Sequence, residues 1–125
     1  MENRGQKHHK ERLVEAFKEE LITILNGELG DPRIGLLTVT EVVMNEGGKS
    51  LRVYISVAGT EDEAQQTLKG LVSATGYIRH ELAENLSLRQ APELSFHIDR
   101  SEQYGARIEE LLDRIEKRKK REEHN

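Results

Sequence analysis

Along the first quarter of the chain, apolar residues recur at helical spacing. Leu13, Ala16, Phe17, Leu21, Ile24 and Leu25 follow the i, i+3, i+4 pattern of a helix with one buried stripe. The pattern predicts a helix over about residues 8–27. Gly27 and Gly30 are stop signals, and Asp31-Pro32-Arg33 reads as a turn. The period then changes to two. "LLTVTEVVM" predicts a strand over about 36–44, and its uneven alternation at Glu41 to Val43 predicts a bulge or register change. "LRVYISV" sets Leu51, Val53, Ile55 and Val57 against Arg52, Tyr54 and Ser56. Two strands joined by a short Gly-bearing loop form a hairpin.

Helical spacing returns at "TEDEA", where Thr60 and Glu63 form a capping box. Ala64, Leu68, Leu71, Ile78, Leu82 and Leu86 continue the stripe, and Pro92 ends it. "ELSFHID" sets Leu94, Phe96 and Ile98 against Ser95, His97 and Asp99, a third strand. A last helix carries Ile108, Leu111, Leu112 and Ile115 as its core stripe. It runs into residues 116–125, a basic tail expected to fray. The order is α-β-β-α-α-β-α, an α+β domain with helices on one face of a three-stranded sheet. The face bearing Arg52, Tyr54, Ser95, His97 and Asp99 then looks at solvent.

One stretch conflicts with its own pattern. "LVSATGYIRHEL" lies where the stripe is strong, yet its centre is Ser73-Ala74-Thr75-Gly76, with three poor helix formers. A straight helix over 61–86 would run about 39 Å at 1.5 Å per residue, against about 23 Å for a seven-residue strand. Length therefore predicts a kink that returns Ile78, Leu82 and Leu86 to the core. A helix restarting there has unpartnered N–H groups and a positive dipole end, which suit a phosphate. Gly76 lets a backbone approach, Ser73 and Thr75 carry hydroxyls, and Arg79 follows one turn on. The alternative is a bend capped by its own hydroxyls.

The chain has 125 residues, one domain's worth, with 35% apolar and 34% charged residues and no cysteine. Disulfide and thiol chemistry are excluded, and a reducing, cytoplasmic setting is expected. No apolar run has the length of a membrane span, and the N-terminal dozen residues do not form a signal peptide. Net charge is −4, distributed as +2 over residues 1–12, −9 over 13–113 and +3 over 114–125. An acidic body with basic ends excludes a uniformly basic nucleic-acid binder and leaves short phosphate-reaching arms.

The element order, with a Gly-bearing break between its middle helices, resembles the type II K-homology fold, in which a G-x-x-G loop clamps an RNA backbone. "SATG" stands in that place without the first Gly. "GELG", Gly27 to Gly30, spells G-x-x-G at the wrong place and reads as a helix stop. The departure, together with "ELGDPRIGLLTVTEV", "RVYISVAG", "ATGYIRHEL", "LSLRQAPELSFHID" and "GARIEELL" in that order, resembles the bacterial ribosome-binding factor A family over about residues 8–113. Ala74, Thr75 and Gly76 match that family's Ala-x-Gly kink.

The resemblance implies a single modified type II K-homology-like domain over 1–115. It implies a non-enzymatic assembly factor that binds free or immature small ribosomal subunits and their ribosomal RNA. Such a factor assists late maturation and RNA processing, matters in cold adaptation, and leaves with help from a GTPase. It implies a cytoplasmic monomer without cofactor, metal or membrane. RNA contacts are expected at Ser73, Ala74, Thr75, Gly76 and Arg79. Arg33, Arg52 and Arg89 join them on charge and predicted exposure, and Lys117, Arg118, Lys119 and Lys120 as a phosphate arm.

Other constellations have plainer readings. His8 and His9 sit in a solvated arm. Glu61, Asp62 and Glu63 lack calcium-loop spacing and lie where a helix start favours acids. Tyr54 could stack a base, although five aromatics make a poor platform. His97 and Asp99 share a strand face without an evident nucleophile. A small enzyme built on that pair and a protein–protein adaptor of the same fold are the two competing functions.

Overall fold

The computed structural model describes residues 4–27, 29–45 and 47–123, with side-chain surroundings for all of these except 4–7 and 102–107. The elements are α1 (Arg4–Asn26), β1 (Leu37–Met44), β2 (Ser50–Val57), α2 (Glu61–Ser73), α3 (Thr75–Asn85), β3 (Glu93–Ile98) and α4 (Ser101–Glu123). The sheet order is β1-β2-β3, with β1 antiparallel and β3 parallel to the central β2. A parallel pair needs a long crossover, and α2 and α3 supply it.

The uneven alternation in β1 has a structural cause. Register passes from Val39↔Ile55 to Glu41↔Tyr54, leaving Thr40 as an extra residue. The bulge lets Val39 and Val42, three apart, both face inward. They meet Leu51, Val53 and Ile55 of β2, Phe96 of β3, Phe17, Leu21, Ile24 and Leu25 of α1, and Leu71, Ile78 and Leu82 of the crossover helices. α1, α2 and α3 thus cover one face of the sheet, the architecture of a type II K-homology-like domain.

On the other face Arg52, Ser95 and His97 are exposed and Tyr54 is half-buried. The Tyr54 and His97 rings lie 5.4 Å apart, and His97 Nε2 is 3.0 Å from Ser95 Oγ. Asp99 is a cap rather than a reactive group. It accepts from the Ser101 backbone N–H at 2.9 Å, where α4 begins, and from Thr40 Oγ1 at 2.6 Å. Hydrogen bonds from the Ser101 hydroxyl, then Thr40 and the Ser101 N–H, hold its carboxyl below the usual carboxylate range.

The core stripe expected on the last helix is not buried. α4 continues to Glu123, well past the expected fraying point after Ile115. Ile108, Leu111, Leu112 and Ile115, expected in the core, are 45–57% exposed. Among the described residues α4 packs against no other element. Periodicity finds an amphipathic helix but does not say what covers it.

Candidate nucleic-acid interface

The crossover begins at the capping box: Glu63 N–H donates to Thr60 Oγ1 at 3.2 Å, and Thr60 N–H donates to Glu63 Oε1 at 3.4 Å. α2 ends at Ser73 and α3 begins at Thr75, with Ala74 between them at φ −88°, ψ 1°. The break is a one-residue bend. Ala74 N–H still donates to Gly70 O at 3.0 Å, and Ala74 O accepts from Ile78 N–H at 3.0 Å. The first is the last bond of α2 and the second the first bond of α3, so the helix restarts at Thr75, as the length argument predicts. No side chain caps α3.

Two glycines flank the bend, and they do opposite things. A Cβ at Gly70 would lie 2.6 Å from Ile34 Cγ1, so only glycine lets the 31–36 loop pack this close. Gly76 is exposed, takes no positive φ, and a Cβ there would meet nothing within 4 Å. Packing explains Gly70. Nothing in the fold requires glycine at 76.

The loop that rests on Gly70 also carries Arg33. Buried Thr67 pins it: Gly35 N–H donates to Thr67 Oγ1 at 3.1 Å, and Thr67 Oγ1 donates to Arg33 O at 3.4 Å. Arg33 grips Asp31 through Nη2 at 2.6 Å and Nε at 3.0 Å, and Nη2 also donates to Ser73 Oγ at 3.0 Å. Side-chain and backbone donation from Arg33 lowers the Asp31 pKa from 3.8 to about 2. Arg33 is therefore brought to the bend.

The other expected contacts divide. The Thr75 hydroxyl donates to Leu71 O at 3.0 Å and is spent inside the bend. Arg79 donates through Nε to Pro92 O at 2.9 Å and through Nη2 to Ala91 O at 3.0 Å. Two arms of its fork tie α3 to the segment before β3, which makes it a structural strut. Arg52 lies on the open sheet face, away from the helices, and Arg89 lies in the connection after α3, at the end remote from Gly76. Lys117, Arg118, Lys119 and Lys120 are exposed on α4. The structure thus brings Ser73, Ala74, Thr75, Gly76 and Arg33 together and leaves the rest apart.

Sequence reasoning missed Gly70, Thr67 and Asp31. A signal existed for two of them: a mid-helix glycine costs about 1 kcal/mol and needs a reason, and Thr67 is a polar residue at a stripe position. An open groove of about 640 Å³ between the 32–36 loop and the first half of α2 is lined by Pro32, Arg33, Leu36, Asp62, Glu63 and Thr67, among others. Its acidic wall disfavours a phosphate backbone. On α3, His80, Glu81 and Glu84 lie close together, with His80 Nε2 3.3 Å from Glu84 Oε2, as an exposed i, i+4 pair.

Fold and bend together define a type II K-homology-like domain with an Ala-x-Gly bend in place of a G-x-x-G loop. Within that class the chain belongs to the ribosome-binding factor A family, whose model, described as Ribosome-binding factor A, matches residues 9–112. A ribosome-binding factor A from Koribacter versatilis (strain Ellin345) is 62% identical over 120 residues, covering 96% of this chain and 98% of that one. The crystal structure of ribosome-binding factor A from Thermus thermophilus is similar with a TM-score of 0.64 at 30% identity, covering 71% of this chain and 93% of that one. A homology model of the Thermus thermophilus protein, fitted into the cryo-EM map of a complex with the 30S subunit, is similar with a TM-score of 0.54 at 33% identity, covering 75% and 94%.

Proposed function

We propose that this protein binds the small ribosomal subunit, free or immature, meets its ribosomal RNA at the α2–α3 bend, and assists late subunit maturation and RNA processing. The observation that carries the reading is Gly76. It is a poor helix former in helical conformation, exposed, with open space where a side chain would stand. Such a residue suits close approach of another backbone. The Thermus relative fitted into a 30S complex supports the choice of partner.

In this reading Ser73, Ala74, Thr75 and Gly76 form the contact, with Arg33 as its cation and Arg79 holding α3 in place. Arg52, Arg89 and Lys117 to Lys120 reach other parts of the subunit. The protein acts as a cytoplasmic monomer by binding, without turnover, and leaves with help from a GTPase. Sucrose-gradient sedimentation of a cell extract tests this. The protein is expected with free small subunits, and equal occupancy of small subunits and polysomes refutes the reading.

A second reading, an adaptor that does not touch RNA, is favoured by the exposed stripe on α4. Nuclease treatment separates the two: an adaptor keeps its partner and an RNA binder does not.

A further inference from the structure

On both sides of the bend at Ala74, burial divides the crossover helices into an inner and an outer face. Leu71, Ile78 and Leu82 take the inner face. Lys69, Val72, Ser73, Gly76, Tyr77 and His80 are exposed on the outer one. Two of these are unusual on a solvated surface. Val72 is 61% exposed, and Tyr77, next to the open Gly76, is 53% exposed. Among the described residues the Tyr77 ring has no aromatic neighbour. Arg33 is seated on Ser73, four residues before Tyr77, and Lys69 is exposed one turn before Ser73.

We propose that Tyr77 is a base-stacking residue: an unpaired RNA base lies on its ring while the adjoining phosphate lies against the Gly76 backbone, with Arg33 and Lys69 supplying charge. The inference rests on the ribosomal reading above and adds the single-stranded character of the RNA. A base can stack on a side chain only when splayed out of a duplex, and stacking tolerates any base because each has a π face. An acidic protein could answer the cations. It would not explain a lone aromatic beside a backbone with no side chain.

The chain contains no tryptophan, so Tyr77→Trp installs a single reporter in the full-length protein. Its emission is expected to be quenched by a mixed-sequence single-stranded RNA at low salt. In titrations against purified small subunits, Tyr77→Phe should bind like wild type and Tyr77→Leu about tenfold more weakly, with an unchanged salt slope. Arg33→Gln should instead flatten that slope, by about 0.7–0.9 if it leaves one phosphate without its cation. Melting curves establish that the variants fold. If Tyr77→Leu is unfolded, the Tyr77→Phe affinity and the Tyr77→Trp quench decide. Wild-type affinity of a folded Tyr77→Leu, or emission that shifts blue without quenching as it would against a protein surface, overturns the inference while leaving subunit binding intact. Failure of the wild type to bind small subunits overturns both.

Discussion

The Arg33 guanidinium donates to the Ser73 hydroxyl at 3.0 Å, across forty positions of sequence. It can do so because the 31–36 loop lies against a helix that has no side chain at Gly70. Replacing Gly70 with Ala should gain about 1 kcal/mol of helix propensity. It also forces a methyl against Ile34, and overpacking costs about 1–3 kcal/mol. The expected net effect is a loss of up to about 2 kcal/mol, read by urea unfolding, together with weaker subunit binding as Arg33 is displaced. A Gly70→Ala protein more stable than wild type would mean that the loop yields freely.

Acid should loosen the same loop. The Asp31 pKa falls from 3.8 to about 2 in the folded chain, chiefly through the hydrogen bonds from Arg33. The unfolded state therefore takes up its proton first as pH falls. The stabilisation is complete above the unfolded value and is lost as pH drops toward 2. Melting temperatures measured from pH 5 to pH 2 should decline, and Asp31→Asn should decline less steeply over that window. Parallel curves would show that the pairing contributes nothing.

The local pattern carried most of this architecture. Period-two and period-3.6 runs placed all three strands, the capping box at Thr60 and the inward residues of α1. The length mismatch between a 26-residue helical stretch and a seven-residue strand placed the bend. What the pattern could not carry was pairing at a distance. Nothing local says that Thr67 will hold residues 33 and 35, that Ile34 will fill the notch at Gly70, or that two carbonyls near Pro92 will occupy Arg79. The stripe on α4 misled for the same reason: its periodicity is genuine, but burial depends on a surface to pack against.

That stripe has a consequence for truncation. All described side chains from Ile108 to Glu123 are exposed. Deleting residues 108–125 should shift the melting temperature by no more than about 4 °C, as for a change below about 0.5 kcal/mol. Six of the chain's 19 Lys and Arg residues leave with it. If they meet phosphates, subunit affinity should drop and the salt slope should flatten by about 0.7–0.9 for each phosphate no longer neutralised. An unchanged slope with unchanged affinity would make α4 a solubilising tail.

Gly76 separates a bend from a binding site most sharply. A Cβ there meets no atom within 4 Å and the backbone takes no positive φ, so the fold has room for a side chain to start at this position. Gly76→Ala should be as stable as wild type or up to about 1 kcal/mol more so, since alanine favours the helix. Gly76→Leu should also fold, because its side chain projects into open space. A binding surface that needs bare backbone predicts a graded loss of small-subunit affinity, modest for Ala and severe for Leu. Thermal melts and subunit titrations on the same two proteins read stability and affinity independently. Two stable variants that both bind like wild type would show that recognition does not use the bend, and would shift attention to the basic helix at the C-terminus.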